Sequence, residues 1–240
     1  SDESGTQNIL AHLINAGVVA QELLRNSSIN CVLEYLKENL GEDTDNTINF
    51  IAYIVAMHDI GKIHPLFQCK NGETHRILTE LGMAQEDNTS GNFRHELYSS
   101  EIMKKYLTDK GCRGRYNRYI SHILARHHEG RVGKNKEIRP SIVEEWTKLQ
   151  DLTEEVLNKV FKFDMVDFEN AKNIDGVCMI ILGIVILSDW IASDYYFSES
   201  SKKEDLSLEE YVNWAKLTAK KALKRSGLEK EEGLKTEYTY

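Results

Sequence analysis

The chain has 240 residues, which is long enough for one good-sized domain or at most two small ones. Its net charge of −8 argues against a protein that coats nucleic acid through bulk positive charge, although it leaves room for a local basic strip. Only two prolines, among many leucine, isoleucine, alanine, glutamate and lysine residues, favour a mostly helical fold.

The predicted elements are helices joined by polar loops, because no segment shows the alternation of a β-strand. In chain order, helices are predicted from a cap at Ser4 or Thr6 to about Arg25, and then over residues 30–40, 48–61, 74–83, 93–107, 115–128, 141–149, 152–161, 174–196 and 207–225. Polar or charged loops are predicted at residues 41–46, 69–73, 85–92, 130–140 and 198–205.

Cysteine spacing and the termini indicate the cellular context. The four cysteines are far apart and form no CxxC pair, so neither a zinc finger nor a disulfide framework is predicted, and reduced thiols in the cytoplasm are expected. The polar N-terminus lacks the apolar run of a signal peptide. The longest apolar run, Val177 to Leu187, is too short to span a bilayer and predicts a buried core helix, so no membrane partner is expected.

The helix predicted from Ile48 ends in polar side chains that can bind metals. Val55, His58, Asp59 and Lys62 are spaced i, i+3, i+4 and i+7, which predicts that they share one face of that helix. A histidine, a carboxylate and a lysine in a half-buried place are costly unless something pairs them. A divalent metal is the natural candidate, with the lysine left to hold an anion.

Further side chains of the same chemistry lie near helix termini or on otherwise apolar helices. The set comprises His12, His58 with Asp59, His95, His127 with His128, and Asp189. A lone histidine on a helix is more often structural, but imidazole and carboxylate together suit borderline metals such as Mn, Fe, Co, Ni or Zn. Six or seven such ligands exceed the needs of one ion, and two close ions that share one carboxylate would use them all.

The order of these residues resembles the HD-domain metal-dependent phosphohydrolase superfamily and, within it, the HD nuclease domain of the CRISPR-associated type I helicase-nuclease. The segments that carry the resemblance are AHLINAG around His12, HDIGKIHPLFQ from His58 to Gln68, FRHELYS around His95, ARHHEGR at His127 and His128, and LSDWIASD at Asp189 to Asp194. The resemblance spans about Leu10 to Tyr196. It implies an all-α fold, an HD-domain helical bundle with a dinuclear metal site in its centre.

The resemblance also implies roles for individual residues. One metal would be held by His12, His58, Asp59 and Asp189, and the second by Asp59, His95, His127 and His128, so that Asp59 bridges them. Lys62 would contact the scissile phosphate or the attacking water, which makes Asp59 and Lys62 the implied catalytic pair. His64, Arg126 and Arg131 are weaker candidates for substrate binding. The two divalent ions implied are Mn, Fe, Co or Ni, with Mg as a further option.

Members of this family cut single-stranded DNA that a helicase feeds to them. The implied partners are therefore single-stranded DNA, a helicase domain or subunit, and the CRISPR surveillance complex. The chain carries no GxxxxGK[ST] motif, so a helicase ATP site is not expected within it. It is either a stand-alone subunit or an excised domain. The charged tail fits a domain junction, which slightly favours an excised domain. The nuclease domain would then comprise residues 1–226, and residues 227–240 would be a tail or linker toward a helicase domain.

A basic strip adjoins the tandem histidines. Between Lys104 and Arg139 there are eleven lysine and arginine residues against three acids. Tyr106, Tyr116 and Tyr119 are interleaved and are predicted to stack on bases. The strip would guide a phosphate backbone toward the metals, and the alternative interpretation is an ordinary solvated surface.

Several alternatives stay open at this point. An HD phosphohydrolase acting on nucleotides or cyclic dinucleotides is the second candidate function, and a non-catalytic docking module is the third. Trp190 is predicted to pack in the core and fix Asp189. His64 and Gln68 belong either to the site or to the loop that closes it.

Overall fold

The computed structural model of the chain describes residues 8–26, 30–86, 93–111, 115–128, 140–166, 171–203 and 205–228. Within these ranges every regular element is a helix, which confirms the all-α prediction. The α-helices are α1 (Ile9–Asn26), α2 (Asn30–Leu40), α3 (Thr44–Ala56), α4 (Pro65–Gln68), α5 (Gly72–Glu80), α6 (His95–Asp109), α7 (Arg115–Arg126), α8 (Pro140–Val160), α9 (Ile174–Ala192) and α10 (Leu208–Arg225). Two 3₁₀ segments cover Met57–Lys62 and Tyr195–Lys203.

Helix α3 lies in the centre of the bundle. Every residue from Phe50 to Ala56 is buried, as expected for a helix that is apolar on all sides. It packs against α1, whose Leu13, Val19 and Leu23 are fully buried, and α1 also contacts α9 and α10. Helices α6 and α7 form a pair that packs on the 3₁₀ segment after α3 and on α9. The bundle therefore surrounds the C-terminal end of α3.

The loop predicted at residues 41–46 is shorter than expected. Helix α3 begins at Thr44, because the side chain of Asp43 accepts a hydrogen bond from the backbone N–H of Asn46 at 2.9 Å and caps the helix. The start of α10 lies where the sequence predicts it. Ser207 and Glu210 form a capping box there.

Helix α8 is one continuous helix, so the prediction of two helices broken near residue 150 is wrong. Two polar residues at the predicted break have partners in the fold. The Gln150 amide donates to the carbonyl oxygen of Ile63 at 2.7 Å, and the Tyr106 hydroxyl donates to Asp151 at 2.6 Å. These contacts of buried Gln150 and exposed Asp151 therefore tie the middle of the helix to neighbouring elements.

The prediction of a charged loop at residues 198–205 is also wrong for most of these residues. Residues Tyr195–Lys203 form a 3₁₀ segment in which Phe197 and Ser200 are buried. The Phe197 ring packs edge-on against Trp214 of α10, with the ring centroids 6.0 Å apart. One buried aromatic side chain thus fixes a segment whose composition is otherwise polar.

Helix α9 is the most apolar helix, and its 19 residues pass the length and composition test for a membrane span. It begins where predicted, at Ile174, but ends at Ala192, four residues before the predicted end at residue 196. Its inner face, including Ile181 and Val185, is buried against the bundle. The core helices of soluble proteins pass the same test, so it is weak evidence for a membrane.

The outer face of α9 is exposed to solvent and carries Trp190, which was predicted to lie in the core. Trp190 is 70% exposed and Met179 is 66% exposed, so the prediction that Trp190 packs in the core is wrong. Successive residues of an α-helix point about 100° apart. When Asp189 faces the bundle, the next side chain therefore faces solvent.

Some predictions fall outside the described residues. These are the cap at Ser4 or Thr6, most of the loops at 85–92 and 130–140, Arg131, and the tail from residue 229.

Candidate metal centre

The segment that carries His58 and Asp59 is not a continuation of α3. The α-helix ends at Ala56, and Met57–Lys62 forms a 3₁₀ segment, so the predicted face with α-helical spacing is wrong in its geometry. Residues three apart lie over one another in a 3₁₀ helix. Lys62 accordingly lies over Asp59, and its Nζ contacts the Asp59 Oδ2. His58 and Asp59 are fully buried, whereas a quarter of the Lys62 side chain is exposed.

Gly61 brings helix α6 against this segment. Its backbone N–H donates to the Ser99 Oγ at 2.8 Å. A Cβ at position 61 would lie 2.2 Å from the carbonyl oxygen of His95 and 2.6 Å from the backbone nitrogen of Ser99. Only a residue without a side chain allows this approach, which places His95, the first residue of α6, beside Asp59.

The first candidate ligand group gathers around the Asp59 Oδ2. The Nε2 of His12, from α1, lies 3.4 Å from this oxygen, and the Nε2 of His58 lies 3.3 Å from it. Both imidazole nitrogens also lie 3.3 Å from the Oδ1 of Asp189 in the last turn of α9. One donor atom from each of the four residues lies within 4.8 Å of the others.

The second candidate group gathers around the other oxygen, Asp59 Oδ1. The Nε2 of His95 lies 3.0 Å from it, and the Nε2 of His127, just after α7, lies 3.4 Å from it. The ring of His128 lies 4.1 Å from that of His127 and 5.0 Å from that of His95, measured between centroids. These four residues also offer donor atoms within 4.8 Å of one another.

Six of the donor atoms in the two groups are buried without a hydrogen-bond partner. The Nε2 atoms of four histidines and both oxygens of Asp59 are buried without one, although they lie 3.0–3.4 Å apart, because none of these contacts has hydrogen-bond geometry. Leaving a buried polar atom unpaired costs about 1–3 kcal/mol. Buried imidazole and carboxylate donors that converge on a point fit a divalent cation.

The orientation of two of these rings is set by the backbone. The Nδ1 of His58 donates to the carbonyl oxygen of Val55 at 2.7 Å, and the Nδ1 of His127 donates to that of Leu124 at 2.6 Å. A carbonyl oxygen can only accept, so Nδ1 carries the hydrogen in both rings. In the neutral form of each ring, Nε2 then carries the lone pair and directs it at the site.

Electrostatics in the cluster favour a cation. Burial lowers the pKa of His58, but the carboxylates of Asp59 and Asp189 outweigh it and raise that pKa to about 10. Burial raises the pKa of the Asp59 carboxyl, yet His58 and the other imidazoles hold it well below its usual value, and the pKa of Asp189 is also lowered. Two ionised carboxylates in a buried place demand positive charge, which protonated His58 and the ion pair with Lys62 provide and which a bound metal ion would provide in place of the proton.

His64 lies apart from both groups, and its surroundings are those of a structural residue. It is buried, its ring stacks on Phe93 at 4.4 Å, and the Tyr98 ring meets it edge-on at 4.4 Å. Its Nδ1 accepts a hydrogen bond from the backbone N–H of Leu66 at 3.2 Å and thereby caps α4, a helix that the sequence did not predict. Gln68 donates to the Lys62 carbonyl oxygen at 2.8 Å and so closes the same loop.

The basic strip is partly engaged with acids. Lys105 pairs with Asp151 at 3.3 Å, and Lys110 pairs with Glu154 at 3.4 Å. Tyr106 is buried, so the prediction that it stacks on bases is wrong. Arg126 is exposed in the last turn of α7, next to His127.

Three residues near the candidate ligands were not predicted from the sequence: Gly61, Glu96 and Ser99. All three lie inside the quoted segments HDIGK and FRHELYS. The signal that could have indicated a close backbone contact was a small residue at each of two positions, Gly61 and Ser99. Glu96 is buried beside His95, and its Oε2 lies 3.6 Å from the His95 Nδ1.

Comparison with known proteins identifies a family and solved structures that share the fold. The profile of the family described as "Cas3, HD domain" matches residues 1–198. A curated relative, the CRISPR-associated endonuclease/helicase Cas3 of Thermus thermophilus, is 22% identical over 228 residues, which cover 91% of this chain but 24% of that protein. The chain thus spans about a quarter of that relative's length.

Two crystal structures share the fold. T. fusca Cas3 with ATP superposes with a TM-score of 0.75 at 17% identity, covering 95% of this chain and 27% of that one. The Thermus thermophilus Cas3 HD domain in the presence of Ni²⁺ superposes with a TM-score of 0.65 at 20% identity, covering 93% of this chain and 87% of that one. With the family match over most of its length, the chain belongs to the Cas3 HD domain family of CRISPR-associated, metal-dependent nucleases.

Proposed function

We propose that the chain hydrolyses phosphodiester bonds of single-stranded DNA in CRISPR interference, where foreign DNA is degraded. The observation that carries the proposal is the division of the Asp59 carboxylate. Its Oδ2 faces His12 and His58, and its Oδ1 faces His95 and His127. One carboxylate shared between two ions would need this arrangement, and two-ion sites serve phosphodiester hydrolysis.

The donor set suits two divalent ions. In this proposal, His12, His58, Asp59 and Asp189 hold one ion, and Asp59, His95, His127 and His128 hold the other. Five imidazoles favour Mn, Fe, Co or Ni over Mg, which prefers oxygen ligands. When bound, such ions supply a hydroxide at neutral pH and neutralise charge on the phosphate during an in-line displacement.

Lys62 is the proposed anion-binding group. Its Nζ contacts the Asp59 Oδ2 and lies 5.7 Å from the centroid of the Phe67 ring, and its side chain is a quarter exposed. The ammonium thus reaches the buried carboxylate from the solvent side, where a phosphate would arrive. There it would hold an oxygen of the scissile phosphate or orient the attacking water.

The proposed substrate path enters on the side of the tandem histidines. Arg126 is exposed two residues before His128, and it would contact the DNA backbone together with Arg131. His64 is a weaker candidate, since its ring is buried as a helix cap. The proposed partners are a helicase domain or subunit that delivers the strand, reached through residues 227–240 after a nuclease domain of residues 1–226, and the CRISPR surveillance complex.

Circular single-stranded DNA tests the proposal because it has no ends and reports internal cleavage. The full chain is incubated with this DNA, with duplex DNA and with a panel of nucleotides and cyclic dinucleotides. Each mixture contains Mn²⁺, Co²⁺, Ni²⁺, Mg²⁺ or EDTA. We expect cleavage of the circle that needs a transition metal and disappears in Asp59→Ala.

A matched control is Asp45→Ala, which removes an exposed aspartate near the other end of α3 that pairs with Arg25 on the surface. This variant should cut the DNA at the wild-type rate. Turnover of a nucleotide or cyclic dinucleotide without DNA cutting would instead identify a phosphohydrolase. If neither DNA nor nucleotides react with any metal, the chain is not a nuclease by itself.

A further inference from the structure

The histidines of the candidate metal centre differ in what their Nδ1 atoms face. Those of His58 and His127 donate to backbone carbonyl oxygens. The Nδ1 of His95 instead faces a carboxylate, with the Glu96 Oε2 at 3.6 Å. His95 is therefore the member of these three whose outer nitrogen meets a charged side chain.

Glu96 is held in place from its other side. Its Oε1 accepts a hydrogen bond from the Nε of Arg94 at 2.5 Å, and the residue is only 5% exposed. One oxygen is thus held by the guanidinium, while the other lies at ion-pair distance from the imidazole, 3.6 Å, which is just beyond hydrogen-bond range. The result is a row of groups, Arg94, Glu96, His95 and the Asp59 Oδ1, that ends at the second ligand group.

A general structural role for Glu96 is the competing explanation. An acidic residue in the first turn of a helix is stabilised by the helix dipole, and Glu96 occupies such a position in α6. That role does not require burial, however, and exposed acids provide it as well. A buried carboxylate aimed at the outer nitrogen of a metal-binding imidazole is the arrangement that orients such rings and makes them stronger donors.

We propose that Glu96 is a positioning residue for the second ligand group: it fixes the ring of His95 so that Nε2 faces the Asp59 Oδ1, and it strengthens that nitrogen as a metal donor. The inference rests on the proposed two-ion function. It predicts an asymmetry between the groups, because the Nδ1 of His58 in the first group donates to a backbone carbonyl oxygen and not to a carboxylate.

The test measures metal binding rather than cleavage. The full chain, freed of metal, is titrated with Co²⁺ by calorimetry and by visible absorption of the bound ion. The steps are assigned with His12→Ala, which should lose the first site, and His95→Ala, which should weaken the second. In Glu96→Gln, which keeps the shape and removes the charge, we expect the second-site affinity to fall about 10–100-fold while the first site is unchanged.

Glu101→Gln is the matched control, since Glu101 is an exposed acid on the same helix. It should leave both affinities at the wild-type level. If Glu96→Gln folds and binds both ions as the wild type does, or weakens both sites equally, the positioning role is wrong. If the wild type itself binds one ion, the two-ion proposal fails instead, and the two failures are thereby distinguished.

Should Glu96→Gln not fold, Glu96→Asp provides the same comparison. Its side chain is one methylene shorter, which withdraws the carboxylate from Nδ1 while keeping its charge near the helix terminus. A second-site affinity equal to that of the wild type in this variant would overturn the proposal.

Discussion

Protonation of His64 should destabilise the fold at mildly acidic pH. Its ring is buried between Phe93 and Tyr98, and its Nδ1 must stay unprotonated to accept the hydrogen bond from the Leu66 N–H. Burial lowers the pKa of this imidazole to about 4. An unfolded chain would return that pKa to about 6.5.

The sign and size follow from these two values. Above about pH 6.5 the ring is neutral in both states, so it adds nothing to the pH dependence. Below that pH the unfolded state binds the proton and the folded state does not, so stability falls as pH falls. The loss reaches about 2 kcal/mol at pH 5 and levels off at roughly 3 kcal/mol once the pH is below the folded pKa of about 4.

Urea unfolding at pH 8 and at pH 5, in EDTA, measures this contribution in wild type and His64→Asn. Asparagine is a good helix cap without a titrating group, so the variant keeps the hydrogen bond to α4. Between pH 8 and pH 5, its free energy of unfolding should fall by about 2 kcal/mol less than that of the wild type. His75→Asn serves as the control for replacing a histidine elsewhere.

Equal losses in the wild type and in His64→Asn between pH 8 and pH 5 would refute this reasoning. The ring would then be protonated in the folded state as easily as in the unfolded state. A substrate-facing, solvated position for His64 would be the explanation to pursue.

Two further substitutions test the floor of the candidate metal centre. Gly61→Ala should lower the free energy of unfolding by about 1–3 kcal/mol in urea, because its Cβ would overlap the His95 carbonyl oxygen at 2.2 Å and force α6 away; a change below about 0.5 kcal/mol would contradict that contact. Lys62→Gln should lower kcat on single-stranded DNA by roughly 100-fold while Co²⁺ titration still shows two sites, and unchanged kcat would remove Lys62 from the proposed chemistry.

Hydrophobic periodicity predicted the existence of the helices well and their boundaries poorly. The many apolar residues of α1 and α3 indicate these helices directly in the sequence, and both are buried on all sides over residues 12–24 and 50–56. The break expected near residue 150 failed because Gln150 and Asp151 are paired with distant residues, which no local pattern records. The prediction that α3 continues through residues 57–61 failed for the same reason, because the approach of Ser99 to Gly61 is a tertiary contact.

The candidate site was predictable as a set of residues but not as a geometry. The sequence order and the family resemblance indicated which imidazoles and carboxylates belong together. They could not show that each oxygen of Asp59 faces a different group, because that depends on the rotation of one side chain. Nor could they show that Trp190 faces solvent while its neighbour Asp189 faces the cluster.

Helix ends explain how an apolar bundle can hold so many polar donors in its interior. His58 and Asp59 follow the last residue of α3, His127 and His128 follow that of α7, and Asp189 lies in the last turn of α9. The last carbonyl oxygens of a helix have no partner within it and carry partial negative charge.

Two of these carbonyl oxygens are those that orient the imidazoles. Val55 and Leu124 lie in the final turns of α3 and α7, and they accept the Nδ1 hydrogens of His58 and His127. The C-termini of three helices thus converge on one place, where their dipoles favour a cation. The backbone satisfies the outer nitrogen of each of these two rings and leaves the inner one for an ion, so the same feature that ends the helices also prepares the ligands.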